Sequence, residues 1–247
     1  MGHLFLRSLC RAHESIIAGK ELWDAGTTTE IVTMKVPLLQ SNLPGQYGVI
    51  CVNVGDCKCF HWSLKGGFIR EVTHSARDYD NNLNDPGGRL GQHVGKFGFP
   101  DLRNLKLYFA VCNPGDLIVL MTDGIHDNLD PRIQGKSPSD LGLEQSNWSD
   151  IPREELKRLS SVYQVQQLEC VILDCPLQFN YKESKLLNSV SALPSCDLVV
   201  ERLVNFALNV TEKSRSFMEA NPRADQPEIS SQFPGKMDHA SAVAFFI

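Results

Sequence analysis

The sequence predicts an α+β layered fold, and three observations carry that prediction. Residues 3 to 18 place Leu4, Phe5, Leu9, Ala12, Ile16 and Ile17 at helical spacing. From Glu30 to Thr73, short β-branched segments follow one another across glycine turns. Asp197 to Phe217 then repeats an apolar stripe with the period of a helix. Strands and helices fall into separate runs instead of alternating, which is the pattern of an α+β chain.

Each element follows from its residues. The first helix has Gly19 as its stop. Glu30 to Pro37 reads as a strand, Pro44-Gly45 as a turn, and Tyr47 to Asn53 as a second strand. Gly55-Asp56 turns the chain into Cys57 to Ser63, and Gly66-Gly67 into Phe68 to Thr73. The expectation is one antiparallel meander. Residues 74–104 are rich in Asn, Asp, Gly and Pro and read as a loop insertion. Leu105 to Val111 and Asp116 to Thr122 are strands, and Glu154 to Gln167 is a helix. Asp197 is the expected N-cap of the last helix. A polar loop over 219–237 precedes an apolar strand from Ser241 to Ile247.

Composition narrows the function classes. The 24 basic and 29 acidic residues leave a net charge of −5 with no basic stripe, which argues against nucleic acid as a partner. No apolar run reaches membrane-spanning length, and the first helix is amphipathic rather than a signal core. The eight cysteines form no Cys-x-x-Cys pair and read as small buried hydrophobes. A cytoplasmic or nuclear location is expected. His61, His74, His93 and His126 are dispersed and read as solvated or satisfied side chains, with His126 beside a candidate site. Trp23, Trp62 and Trp148 read as core or loop anchors.

Three segments carry chemistry. In Gly115 to Asn128 an apolar strand runs directly into Asp123-Gly124. A strand holds the aspartate rigidly, and a following glycine lets the chain turn close to a bound ion. Hard cations such as Mg²⁺ and Mn²⁺ prefer carboxylate oxygens of this kind. In Lys236 to Phe245, Asp238 opens a strand after a turn; in Val52 to Cys57, a strand breaks at Gly55-Asp56 and resumes.

In order, these segments resemble the motifs of the metal-dependent Ser/Thr protein phosphatases of the 2C type. Ala25-Gly26-Thr27-Thr28-Thr29 resembles the family's Gly-Gly-Thr-Thr-Ala segment, and Asn53 to Lys58 its Gly-Asp-Ser-Arg strand. Thr122 to Asp127 resembles its Ser-Asp-Gly-hydrophobic-hydrophobic-Asp segment, and Asp238 to Ser241 its final Asp-Asn-hydroxyl segment, with His239 in place of the Asn. The resemblance implies two antiparallel sheets packed face to face and flanked by helices, with residues 1–247 as one domain. It implies a site for two ions, Mg²⁺ or Mn²⁺, that activate a water for hydrolysis of phosphoserine or phosphothreonine in phosphorylated proteins. Asp123 and Asp238 take the positions of ligands to one ion, and Asp56 that of an accessory site. Arg89 and Arg103 are candidates for a substrate phosphate. No catalytic residue beyond metal ligands is assigned, and the oligomeric state is left open.

The family opens with a basic phosphate-binding residue, an acidic pair and an Asp-Gly-x-Gly-Gly segment whose Asp bridges the metals. None precedes the first helix here, so an N-terminally truncated domain is expected. Asp85-Pro86-Gly87-Gly88 comes too late in the chain to replace that segment. A catalytically impaired relative that binds phosphoproteins or acts as a scaffold is the alternative.

Overall fold

The computed structural model describes residues 2–19, 27–28, 30–38, 46–74, 87–91, 99–181 and 192–247. The turn expected at Pro44-Gly45, together with Trp23, His93, Asp85 and Pro86, lies outside these residues. In chain order the elements are α1 (Gly2–Ile17), β1 (Thr27–Thr28), β2 (Glu30–Pro37), β3 (Tyr47–Val54), β4 (Lys58–Ser63), β5 (Phe68–Glu71) and β6 (Leu90–Gly91). There follow β7 (Lys106–Cys112), β8 (Leu117–Met121), α2 (Asp123–His126), α3 (Arg153–Leu173), α4 (Cys196–Ala220) and β9 (Ala242–Phe246). The α+β class and the antiparallel strand pairing are those the sequence predicts. Two compact units are resolved: Met1–Phe60 with Glu71–Pro114 and Ile247, and His61–Arg70 with Gly115–Phe246.

In the first unit, α1 buries Phe5 and Leu9 against Val52, Val54 and Leu90, with Ala12, Ile16, Val32 and Met34 packed beside them. Burying one such side chain contributes roughly 1.5–3 kcal/mol, so two residues one turn apart suffice to seat the helix. Gly19 ends it at φ +71, the left-handed conformation glycine adopts without strain. The sheet beneath runs β2-β3-β7, with Val32 opposite Val52 and Val52 opposite Leu107.

The expected single meander over residues 30–73 does not form. β2 and β3 pair, but the other neighbour of β3 is β7, while β4 joins a second sheet in the order β5-β4-β8-β9. The break falls at Gly55, which has φ +100. Its N–H donates to Asn104 Oδ1 (2.9 Å), and its carbonyl accepts from the side-chain amides of Asn104 and Asn53 (2.8 Å each). Side chains satisfy the turn's polar groups, so no hairpin ladder between β3 and β4 is required.

In the second unit all five residues of β8 are buried, as in a strand covered on both faces. β9 pairs with it antiparallel from Leu117↔Phe246 to Met121↔Ala242. α4 packs against β9 and α3, burying Val199, Leu203 and Ala207. Its N-cap is Ser195, whose hydroxyl accepts from the Leu198 N–H at 3.4 Å; Asp197, the expected cap, lies in the first turn. Both residues suit a helix start, and the cap fell to the one whose backbone is still extended, at ψ 155. α3 runs six residues past the expected Gln167, because the apolar Leu168, Cys170 and Ile172 are buried as helix.

Candidate metal centre

The β8–β9 pairing brings the last two motifs together. Asp123 lies two residues after β8, and Asp238 four residues before β9, so the antiparallel register carries both to the same end of the pair. Thr122 closes the junction. Its N–H donates to the Ser241 carbonyl (3.0 Å), its hydroxyl donates to the His239 carbonyl (2.9 Å), and the same hydroxyl accepts from the Ser241 N–H (3.0 Å). Gly124 permits the approach: a Cβ there would stand 2.5 Å from the His239 carbonyl oxygen and 3.0 Å from that of Asp238.

Around this junction three carboxylates meet one cation. The Lys236 ammonium hydrogen-bonds Asp123 Oδ2 and lies 3.1 Å from Asp127 Oδ2 and 3.5 Å from Asp238 Oδ2. The second oxygens are used locally. Asp123 Oδ1 accepts from the Gly124 N–H and Asp238 Oδ1 from the His239 N–H, each at 2.8 Å, while Asp127 Oδ1 faces His126 Nδ1 at 3.1 Å. The Asp123 and Asp238 carboxylates are thereby oriented with Oδ2 toward the common centre. The Asp127 side chain is 7% exposed and that of Lys236 11%, so the pairing is partly desolvated. Burial alone would lower the Lys236 pKa, but the charge of Asp127 and the hydrogen bond and charge of Asp123 outweigh it and hold the ammonium above its ordinary value.

Asn128 fixes the backbone that delivers this lysine. Wholly buried, it accepts from the Lys236 N–H (2.8 Å) and donates to the Lys236 carbonyl (3.0 Å) and the Gly124 carbonyl (2.8 Å). Asp130 braces the following loop: it takes two bonds from the Arg132 guanidinium (3.0 Å each) and one from the Ser160 hydroxyl on α3.

Of the residues singled out in the sequence, Asp123 and Asp238 are therefore brought together. Asp56, Arg89 and Arg103 lie in the first unit. Asp56 is buried beside the pinned Gly55 turn. The Arg89 backbone bridges to Asp101, and the Arg103 guanidinium is engaged by the Asp101 carboxylate at 2.9 Å. His126 is buried at the cluster, next to Asp127. His61 is also buried: its Nε2 meets Asp116 Oδ2 at 2.8 Å and its Nδ1 accepts from Arg70 Nε at 3.3 Å. Burial, opposed by Asp116, lowers its pKa, so the ring is neutral with the proton on Nε2. Asp127, the last residue of the Thr122–Asp127 segment, is not among the expected ligands, and neither are Asn128 and Lys236. The signal for Asp127 was its spacing, four residues from Asp123 across a helical turn; that for Lys236 was its place two residues before Asp238.

The donor set fits a hard divalent cation. Three carboxylate oxygens gather around one positive charge, here the Lys236 ammonium, and carboxylate oxygens are the donors that hard divalent cations take.

No protein-family profile matches the chain. Over 168 residues it is 32% identical to the PP2C-like domain-containing protein CG9801 of Drosophila melanogaster, a match covering 64% of this chain and 22% of that protein. The chain thus spans less than a quarter of the length of this curated relative. Among solved structures, the phosphatase domain of the cell fate determinant SpoIIE from Bacillus subtilis aligns at 12% identity and a TM-score of 0.33, over 96% of this chain and 61% of that one. PppA, a regulatory component of the type VI secretion system in Pseudomonas aeruginosa, aligns at 16% identity and 0.28, over 66% and 46%. These superpositions are too loose to match residue with residue. The sequence relative bears the family name that the ordered motifs imply.

Proposed function

We propose that this chain, a relative of a PP2C-like domain, is a metal-dependent phosphatase domain acting on phosphoserine and phosphothreonine in phosphorylated proteins, with Asp123, Asp127 and Asp238 as carboxylate ligands. The observation that supports it is the convergence of their three Oδ2 atoms on one positive charge. Mg²⁺ or Mn²⁺ bound there would lower the pKa of a water and offset charge on a phosphoryl oxygen. The chain's own residues set the geometry. β8 and β9 fix the spacing of Asp123 and Asp238, the Gly124 and His239 N–H groups orient the carboxylates, and Asn128 ties the two loops into one wall. The buried setting of Asp127 strengthens its attraction for a cation relative to a solvated carboxylate. Asp56 as an accessory ligand, Arg89 and Arg103 as phosphate-binding groups, residues 1–247 as one domain, and a cytoplasmic or nuclear setting belong to the same reading. Among the described residues, no helix is long and apolar enough to cross a membrane.

A second reading, a catalytically impaired domain that binds phosphoproteins, is favoured by one observation: an internal ammonium already neutralises part of the cluster. Release of phosphate from an aryl phosphate and from a phosphothreonine peptide in Mn²⁺ separates the two. Turnover that Asp123→Asn abolishes supports the enzyme. Phosphopeptide binding without turnover supports the binding module.

A further inference from the structure

We propose that Lys236 is a tethered counter-cation that competes with the divalent ion for its carboxylates, so that the ion binds only as the lysine side chain withdraws. This rests on the reading of Asp123, Asp127 and Asp238 as metal ligands and concerns how that site is regulated.

Three features support it. First, the ammonium has three N–H donors and three carboxylate neighbours, Asp123, Asp127 and Asp238. Second, the lysine is delivered by a fixed backbone. Asn128 grips both its N–H and its carbonyl. The preceding Gly235 donates to the Ile133 carbonyl at 2.7 Å and takes φ +91 against Thr211, where a Cβ would come within 3.0 Å of the Thr211 backbone. The ammonium is therefore held at high effective concentration beside the carboxylates, as an intramolecular ligand is. Third, the two cations exclude each other. Mg²⁺ binds oxygen at about 2.0–2.1 Å and Mn²⁺ favours the same oxygen donors, so either would occupy the volume the ammonium now fills and repel its charge. The Lys236 side chain has four methylenes, so rotation about its own bonds withdraws the ammonium without moving the Asn128 anchor. The same cluster is thus stable without metal, its like charges offset by Lys236, and becomes a metal site when the lysine leaves.

The test compares wild type with Lys236→Gln, which keeps the polar stem and removes the charge. Mn²⁺ binding by isothermal titration calorimetry is expected to be at least 10-fold tighter in Lys236→Gln, and the metal-free variant is expected to melt lower than wild type and to regain more stability on adding Mn²⁺. A second measurement needs no variant: reductive methylation of the wild-type protein, read by mass spectrometry, should label Lys236 slowly without metal and several-fold faster in saturating Mn²⁺. Unchanged Mn²⁺ affinity in Lys236→Gln, or labelling of Lys236 that ignores Mn²⁺, overturns the competition while leaving the metal site intact. Failure of both proteins to bind Mn²⁺ overturns the competition and the metal-ligand reading together.

Discussion

Replacing Asn128 by alanine removes the side chain that ties the Asp123 loop to the Lys236–Asp238 loop. It makes three hydrogen bonds of 2.8–3.0 Å, accepting from the Lys236 N–H and donating to the Lys236 and Gly124 carbonyls. Asn128 is 0% exposed, so water does not replace these bonds while the fold stays closed. A buried group left without a partner costs about 1–3 kcal/mol, and carbonyls tolerate the loss better than an N–H because they have a second lone pair. The sum for one N–H and two carbonyls is about 2–4 kcal/mol. In a chain of this size each kcal/mol lowers Tm by about 2–4 °C, so a drop of roughly 4–16 °C is expected. Thermal unfolding followed by circular dichroism in metal-free buffer measures it. A variant that melts within about 2 °C of wild type would refute the reasoning.

Further outcomes follow from the same geometry. Gly124→Ala sets a Cβ 2.5 Å from a backbone carbonyl oxygen, which gives way only if the β9 approach shifts, so a loss of about 1–3 kcal/mol is expected in chemical denaturation. His61 has its pKa lowered from the ordinary 6.5 by burial, so the unfolded chain binds the proton more readily than the folded one. Stability should therefore fall as pH drops below about 6.5, and His61→Gln should flatten that part of the Tm–pH curve; an unchanged slope contradicts it. In thiol alkylation at pH 8, the exposed Cys10 should react well before the buried Cys51, Cys59, Cys112 and Cys170, of which Cys59 and Cys170 also have raised pKa values: Cys59 first through its hydrogen bond to Cys51 and then burial, Cys170 to about 12 mainly through burial.

Local patterns carried much of this fold and little of its wiring. The span from Glu30 to Pro37 is a strand with the boundaries its β-branched residues suggest, and α1 follows its apolar spacing to within a residue or two. What could not be read was the exit of β4 to a second sheet. The group that makes it possible, Asn104, lies 49 residues beyond Gly55 in sequence and has no local signature there. The site divides in the same way. Asp123 and Asp238 stand close to strands that apolar runs and turn signals locate, and the antiparallel pairing of β8 and β9 then brings them together. Lys236 and Asn128 carry no local signature of their roles. Their roles come from contacts across 108 to 113 residues, which only the folded pairing of two loops creates.

Mn²⁺ binding to wild type, Asp123→Asn, Asp238→Asn and Lys236→Gln, measured side by side by calorimetry, tests the central claim that these carboxylates form one cation site guarded by a lysine. The account predicts weakening of at least about 10-fold in each aspartate variant, no less than the loss of an outer partner of a metal ligand brings, and tightening in Lys236→Gln. Equal affinity in all four proteins would contradict it.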